Sequence, residues 1–282
     1  MPKQKPRVAA AIEMKMAATT SETVSTRKII KLILPKEHGS WSLALEPVAL
    51  GLLTAPTAAG GALAVAAFAG FFLRRPLKIF FREENRERWK TARAAIFILA
   101  TIAIAGLLLA IKFGGAKNLW PLIPAAVAGM AFAFFDLRNE AREGAAEISG
   151  AITFGILPAA FATLAGWNFV AAISLAAVML ARSVPTVLFL RTYLRIKKGK
   201  GVKIFPAIFA AIIGFLLIVW LAISKFAPWI SVVFVLLMAA RTIYLLASRP
   251  RFAAKTLGIT ETTFGATMVL TLAVAWRFFQ QQ

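Results

Sequence analysis

The sequence predicts an all-α fold, a polytopic membrane helix bundle of about nine transmembrane helices. About nine mostly apolar stretches, each of roughly 18 to 22 residues, run between Gly39 and Phe279, and each is long enough to cross a bilayer as a helix. Hydrophobic residues make up 60% of the 282, and the mean hydropathy is +0.76. Because the connectors are too short to form a soluble domain, one membrane domain accounts for nearly the whole chain.

The two predicted parts of the chain differ in character. Residues 1–34 are basic and contain Ser and Thr, without a spanning run or the apolar core of a secretory signal. They are therefore predicted to form a mobile basic cytosolic arm ahead of a transmembrane domain at 35–282. The predicted spans are 39–57, 59–81, 93–112, 119–136, 147–166, 169–191, 203–223, 227–247 and 260–279.

The distribution of basic residues predicts the orientation in the cell membrane. The chain has 33 Lys and Arg residues and a net charge of +21, and the basic residues cluster at every second connector. This bias predicts a cytoplasmic N-terminus and a C-terminus outside. Contact with anionic membrane lipid explains the charge, so lipid is the predicted partner and nucleic acid is not. Four tryptophans near the sparsely charged span ends suggest an interfacial aromatic belt: Trp120, Trp167, Trp229 and Trp276.

Composition excludes several kinds of chemistry. The chain has no cysteine and one histidine, which excludes disulfides, thiolate chemistry and a multi-His metal site within one chain. No metal ligand set is predicted, and the sequence does not identify a cofactor.

Matches at a shift of about 110 residues predict an internal repeat. Pro76 and Arg82 map onto Pro185 and Arg191, and Thr153-Phe154-Gly155 maps onto 263–265. Gly39 and Pro47 map onto Gly150 and Pro158. These shifts agree on a four-span unit, so two parallel four-helix pseudo-repeats plus one final span are predicted. Pro76 and Pro185 are expected to loosen their helices beside basic groups.

Ionisable residues inside the apolar runs are the first candidates for a site, because a charge in hydrocarbon costs at least a few kcal/mol and usually faces the protein interior. Helical rise puts several in one layer roughly 10 to 14 Å from the inner surface, where we expect them to line a cytosol-facing polar cavity that binds an anion. The candidates are Glu46, Arg74, Arg75, Arg182 and Arg241. Two ladders with i, i+4 spacing add Lys78 and Arg82, and Arg191 and Arg195.

Other interpretations of these charges stay open. Arg82, Arg191 and Arg195 could instead extend to lipid headgroups. Glu46 is either a neutralising partner for Arg182 or Arg241, or a general base. Glu147 and Glu261 lie near the predicted starts of spans five and nine, where a carboxylate can favour a helix N-terminus.

The polar segment from Pro35 to Trp41 precedes span one. Lys36 offers an anion contact, Glu37 an acceptor, and His38 a group that titrates near neutrality, all within one turn. Lys36, Glu37 and Trp41 are therefore candidate substrate contacts, with His38 and Glu46 as candidate catalytic acid–base groups. A helix start with interfacial anchors explains the segment equally well.

The same segment carries a family resemblance. Pro35 to Gly39 reads PKEHG, the signature of the YwiC-like family of bacterial and archaeal membrane proteins, which the chain resembles. The resemblance continues through Trp41, Glu46-Pro47, Arg75-Pro76-Leu77-Lys78, Ala181-Arg182-Ser183-Val184-Pro185 and Lys255-Thr256-Leu257-Gly258. It adds Lys255 to the substrate-binding candidates and implies little about activity.

A more distant resemblance is architectural. Nine spans in two four-helix halves plus one resemble the UbiA-type intramembrane prenyltransferases, which bind a prenyl diphosphate through magnesium and aspartate-rich motifs on helices two and six. Neither region has a DxxxD pattern here, and Arg74, Arg75 and Lys78 stand in the first. The resemblance implies a transferase in which cationic side chains hold the phosphate directly.

Three functions follow as hypotheses. The first is a UbiA-like transferase acting on an anionic lipid or isoprenoid. The second is a transporter or anion-binding carrier that uses the same cavity. The third is a non-catalytic membrane assembly factor whose interior charges only fix helix packing. A lateral opening to lipid would favour the first, pathways to both aqueous sides the second, and full pairing of every buried charge the third.

Overall fold

The computed structural model describes residues 39–82, 86–138, 140, 143–250 and 252–279. These residues form ten α-helices and one short 3-10 helix, Ala116–Leu119, without a strand among them. The α-helices, in chain order, are α1 Gly39–Thr54, α2 Ala58–Arg82, α3 Arg86–Gly114, α4 Leu122–Leu137, α5 Gly144–Gly155, α6 Leu157–Leu164, α7 Phe169–Lys197, α8 Phe205–Ile223, α9 Trp229–Ser248 and α10 Ala254–Phe279. The predicted arm, residues 1–34, lies outside the described part of the chain.

The all-α membrane class is confirmed. Each predicted span contains helix, and six helical stretches in the described residues are long and apolar enough to cross a membrane. They are Arg88–Gly114, Gly144–Leu164, Phe169–Lys197, Phe205–Ile223, Trp229–Ser248 and Lys255–Phe279. Trp41–Thr54 and Leu122–Leu137 are shorter apolar helices. The number nine and the pseudo-repeats therefore stay predictions.

One predicted span is interrupted at a position that the sequence did not indicate. Helices α2 and α7 run without a break through Pro76 and Pro185, and both prolines are buried. The fifth predicted span is instead interrupted at Ile156, and Pro158 stands in the first turn of α6. Proline is well tolerated there because its missing N–H would have no intrahelical partner. Helices α2 and α7 are thus not interrupted, and their loosening beside Pro76 and Pro185 stays a prediction.

Helix α7 lies at the centre of the bundle, packed against α5, α6, α8 and α9. One apolar core joins it to α1, α6, α8, α9 and α10 through side chains such as Leu50, Leu175, Met179 and Met268. Helix α1 packs against α10 on one side and α6 on another. Side chains on α1, α7, α9 and α10 can therefore meet in one interior region.

The outer surface is apolar. Phe97 on α3 is 74% exposed, and Phe209 and Leu216 on α8 are also exposed. A soluble monomer rarely presents so much contiguous apolar surface, whereas lipid accommodates it at no cost. The expected aromatic belt is wrong for Trp276, which is 1% exposed and belongs to the core.

Contacts near the helix termini place these termini at two ends of the bundle. The end where α2, α4, α7 and α9 finish, here called the basic end, joins α7 to the α9–α10 connector. There Tyr193 Oη donates to the carbonyl of Pro250 and accepts from the Phe252 N–H at 3.1 Å. At the opposite end, Arg277 on α10 donates to the Leu53 carbonyl on α1, with its Nη2 at 2.9 Å. Helices α1 and α10 therefore finish at the same end, opposite to the end where α7 finishes.

Candidate functional site

A chain of four charged residues crosses the bundle interior. Glu46 on α1, Arg182 on α7, Glu261 on α10 and Arg241 on α9 follow one another as alternating negative and positive groups; we call them the buried charge chain. Glu46, Arg182 and Glu261 are buried, whereas the Arg241 side chain is 23% exposed. Because its two carboxylates balance its two guanidinium groups, the buried charge chain has no net charge.

The pair formed by Arg182 and Glu46 is bidentate. Arg182 Nη2 donates to Glu46 Oε1 at 2.9 Å, and Nε lies 2.9 Å from Oε2, although its N–H is not aligned for a hydrogen bond. Arg182 Nη1 donates to Thr186 Oγ1, and Nη2 also donates to the Glu261 backbone carbonyl, each at 3.1 Å. Several groups from three helices thus hold the guanidinium, as a buried charge requires.

Glu261 is shared between two arginines. Its Oε1 accepts a hydrogen bond from Arg241 Nη1. Its Oε2 lies 3.7 Å from Arg182 Nη1 and is buried without a hydrogen-bond partner. The Arg241 guanidinium also lies 5.4 Å from the ring centroid of Phe189, a distance suited to a cation–π contact. One acceptor in the buried charge chain therefore stays open.

Gly265 provides the space for this arrangement. A Cβ atom at this position on α10 would collide with Glu46 Oε1 and with Arg182 Nη2. Any side chain at position 265 would therefore displace the ion pair. The glycine lies one helical turn beyond Glu261, on the face of α10 that meets α1 and α7.

A second group of charges lies between α2 and α4. Asp136 is 3% exposed and accepts from two cations on α2: Arg74 Nε donates to Oδ2 at 2.7 Å, and Lys78 Nζ to Oδ1 at 3.0 Å. The Arg74 guanidinium also lies 4.6 Å from the ring centroid of Phe132. Two cations share one carboxylate, so the group carries one excess positive charge.

Arg191 completes a third group, at the start of α5. Its Nη1 donates to Glu147 at 3.0 Å, and its Nη2 lies 3.4 Å from the exposed Glu143. Arg191 is thus neutralised by protein carboxylates, and the structure does not leave it extended toward headgroups alone.

The structure distributes the predicted site residues over these groups. Arg182 and Arg241 meet through Glu261 and Glu46, whereas Arg74 and Lys78 meet on Asp136. Trp41 packs edge-on against Phe71 and Phe72 of α2, with ring centroids 6.1 and 5.5 Å away. Arg75 is half-buried on α2, and Lys255 is exposed in the first turn of α10. Lys36, Glu37 and His38 lie outside the described residues.

Two carboxylates central to these groups were missed as site residues. Asp136 was treated as part of a connector, but α4 continues through it to Leu137. Glu261 was placed at the start of span nine, where a capping role competes. Helix α10 begins seven residues earlier, at Ala254, so Glu261 is an interior residue. The deep arginines were the available signal, since each needs a carboxylate partner.

Two further observations bound the chemistry. Within the described residues, no group of three His, Asp or Glu side chains is placed to hold a metal ion. At the opposite end of the bundle an open cavity of about 810 Å³ is lined by aromatic side chains and one cation, including Trp167, Phe226 and Lys225.

Fold and site together define a multi-pass helical membrane protein whose interior charges are paired across helices distant in sequence. A family model described as YwiC-like protein matches residues 34–161, rather less than half of the chain. The resemblance to the YwiC-like family is thus confirmed over that stretch, which contains Glu46, Arg74, Lys78 and Asp136. Neither the curated proteins nor the solved structures gave a match.

Proposed function

We propose that this membrane protein binds the headgroup of an anionic lipid or isoprenoid at the basic end of α2, and acts on it as a transferase. The observation that carries the proposal is the charge imbalance at Asp136. Arg74 and Lys78 have side chains 36% and 35% exposed, whereas the carboxylate they share is 4% exposed. The excess positive charge therefore faces the surface, where a phosphate or carboxylate can approach.

The buried charge chain is a poorer anion site. An anion beside Arg182 would have to displace Glu46, and one beside Arg241 would have to displace Glu261. Either displacement leaves a carboxylate without its partner in the interior, at a cost of several kcal/mol. We therefore place the headgroup at Arg74 and Lys78, and assign Arg182 to holding α1, α7 and α10 together.

The surroundings of α2 suit an amphiphile. Phe80 of α2 stacks on Trp89 of α3, with ring centroids 5.2 Å apart, and Phe81 is 63% exposed. Aromatic side chains beside cations favour a ligand with a charged head and an apolar tail. The predicted cytoplasmic position of this end would place such a ligand in the inner leaflet.

The transferase part of the proposal is supported by the predicted nine-helix layout and its likeness to intramembrane prenyltransferases. A second candidate, a carrier, is favoured by the open acceptor of Glu261, because intramembrane ionisable residues often mark proton or ion pathways. If neither a bound ligand nor a product is found, the remaining interpretation is a non-catalytic assembly factor.

Native mass spectrometry of the full chain in nanodiscs containing phosphatidylglycerol tests the binding step. We expect the Arg74→Ala/Lys78→Ala variant to retain anionic lipid at least about tenfold more weakly than the wild type, a loss of about 1.4 kcal/mol. The matched control is Lys200→Ala/Lys203→Ala, which removes two exposed cations from a connector. Equal retention by the wild type and the first variant would overturn the proposed site.

The Asp136→Asn variant is expected to change the retention of anionic lipid in the opposite direction. Removing the competing carboxylate should tighten retention of phosphatidylglycerol but not of phosphatidylcholine. For the chemical step, purified protein is incubated with a radiolabelled prenyl diphosphate and a membrane lipid extract as the source of the prenyl acceptor, and the release of diphosphate is measured. Headgroup binding without release would reject the transferase and favour the carrier.

A further inference from the structure

We propose that the buried charge chain is a proton-binding site, in which Glu46 takes up a proton as Arg182 moves from Glu46 to Glu261. The proposal concerns the interior charges that the proposed headgroup site does not use, and it does not depend on that site.

Arg182 lies between two carboxylates at unequal distances. It contacts both oxygens of Glu46 at 2.9 Å, whereas its Nη1 lies 3.7 Å from Glu261 Oε2. That oxygen is buried and accepts no hydrogen bond. A shift of roughly 0.8 Å would bring the guanidinium to the usual length of a charge-assisted hydrogen bond. Glu261 thus offers Arg182 a second position close to the first.

The groups around Glu46 limit what can replace Arg182 when it moves. Helix α7 contributes Arg182 and Thr186, α9 contributes Arg241, and α10 contributes Glu261 and Thr260. Helices α6 and α8 have no titratable residue. On α5, Glu147 is paired with Arg191, and on α2, Arg74 and Lys78 are paired with Asp136, beside the half-buried Arg75. Arg182 is the cation that Glu46 contacts.

Charge balance then requires a proton. With Arg182 hydrogen-bonded to Glu261, the buried Glu46 carboxylate would lose its hydrogen-bonded cation, which is costly in a low-dielectric interior. One proton from water, bound to a Glu46 oxygen, removes that charge, and no other bond forms or breaks. The buried charge chain gains one positive charge. That charge lies beside Arg241, whose 23% exposed side chain allows water to screen it.

The backbone of α10 already supports both positions. Arg182 Nη2 donates to the Glu261 carbonyl at 3.1 Å while its other contacts hold Glu46, so the guanidinium is attached to α10 before any movement. Because Gly265 has no side chain, α10 leaves room for the contacting atoms of Glu46 and Arg182 beside its backbone.

Infrared difference spectroscopy of the full chain in nanodiscs, between mildly alkaline and mildly acidic buffer, detects the carbonyl stretch of a protonated carboxylic acid. We expect a band in the wild type that disappears in Glu46→Gln. Glu143→Gln, which changes a 59% exposed carboxylate, is the control and should keep the band. A band of equal intensity in the wild type and Glu46→Gln would overturn the proposal.

A double variant tests the exchange itself and remains informative if Glu46→Gln does not fold. Glu261→Gln/Arg241→Gln removes the second position of Arg182 without changing the net charge of the buried charge chain. We expect the midpoint of proton uptake by Glu46 to fall by at least about one pH unit, a tenfold weaker proton affinity. An unchanged midpoint would show that Arg182 does not move to Glu261.

Discussion

Glu46 and Gly265 face each other across the contact between α1 and α10, so closely that a methyl group on Gly265 would overlap the Oε1 oxygen of Glu46. The size of one residue on α10 therefore decides whether α1 can keep its ion pair with α7.

Gly265→Ala is expected to destabilise the protein strongly. The added methyl group would separate Glu46 from Arg182, and breaking a buried pair costs about 3 to 5 kcal/mol. The free energy of unfolding is measured by titration with sodium dodecyl sulfate. Gly258→Ala, on the same helix with nothing within 4 Å of an added Cβ, is the control and should be neutral or slightly stabilising. Similar losses in both variants would contradict the steric argument.

Glu46 and Arg182 should be energetically coupled. Because each residue neutralises the other in the interior, Glu46→Gln and Arg182→Gln should each lower the free energy of unfolding. The loss in the double variant should be about 2 to 3 kcal/mol smaller than the sum of the two single losses. The same double-mutant cycle on Arg191 and the exposed Glu143, which lie 3.4 Å apart, should give a coupling energy of less than about 1 kcal/mol. Additive losses for the buried pair would disprove the coupling.

Tyr193 should hold the α9–α10 connector against α7. Tyr193→Phe removes the hydroxyl that bonds to Pro250 and Phe252, so we expect a loss of about 1 to 2 kcal/mol and faster amide hydrogen exchange at Phe252. Tyr244, the other of the chain's two tyrosines, is 66% exposed. Tyr244→Phe should change neither quantity, and a connector unaffected by Tyr193→Phe would argue against the tether.

The predicted topology can be tested directly because the chain has no cysteine. Lys117 and Lys200 are exposed in connectors that should lie on opposite sides of the membrane. A membrane-impermeant maleimide should label Lys117→Cys in intact cells, and Lys200→Cys only after permeabilisation. Labelling of both positions from outside would reject the predicted orientation and the alternation of the spans between them.

The helices were largely predictable from the sequence because hydrophobic run length is a local property. The nine apolar runs locate the helices to within a few residues, apart from α3, α7 and α10, which extend further toward the basic end. The break at Ile156 was not predictable in this way. Pro47, Pro76 and Pro185 also lie within apolar runs, and each stands inside a continuous helix, so a proline in such a run does not by itself show where a helix breaks.

The candidate site was predictable only in part. The rarity of charge in hydrocarbon indicated Glu46, Arg182 and Arg241, but the sequence does not show which residues are paired. Glu46 was correctly considered as a neutralising partner of Arg182. Asp136 and Glu261 lie close to the ends of the predicted spans, where the sequence alone indicates connector or capping roles for a carboxylate. Their roles depend on contacts between helices more than 50 residues apart, such as Lys78 with Asp136.

The distance along the chain between Glu46 and Arg182, 136 residues, has a consequence for biosynthesis. Helix α1 leaves the ribosome and meets the translocon long before α7 has been translated. During that interval its carboxylate has to enter the bilayer protonated, wait at the interface, or be shielded by another protein. Stable integration of the first helix is thus completed only by the seventh and tenth, and a chain that stops before α7 would be a substrate for membrane quality control.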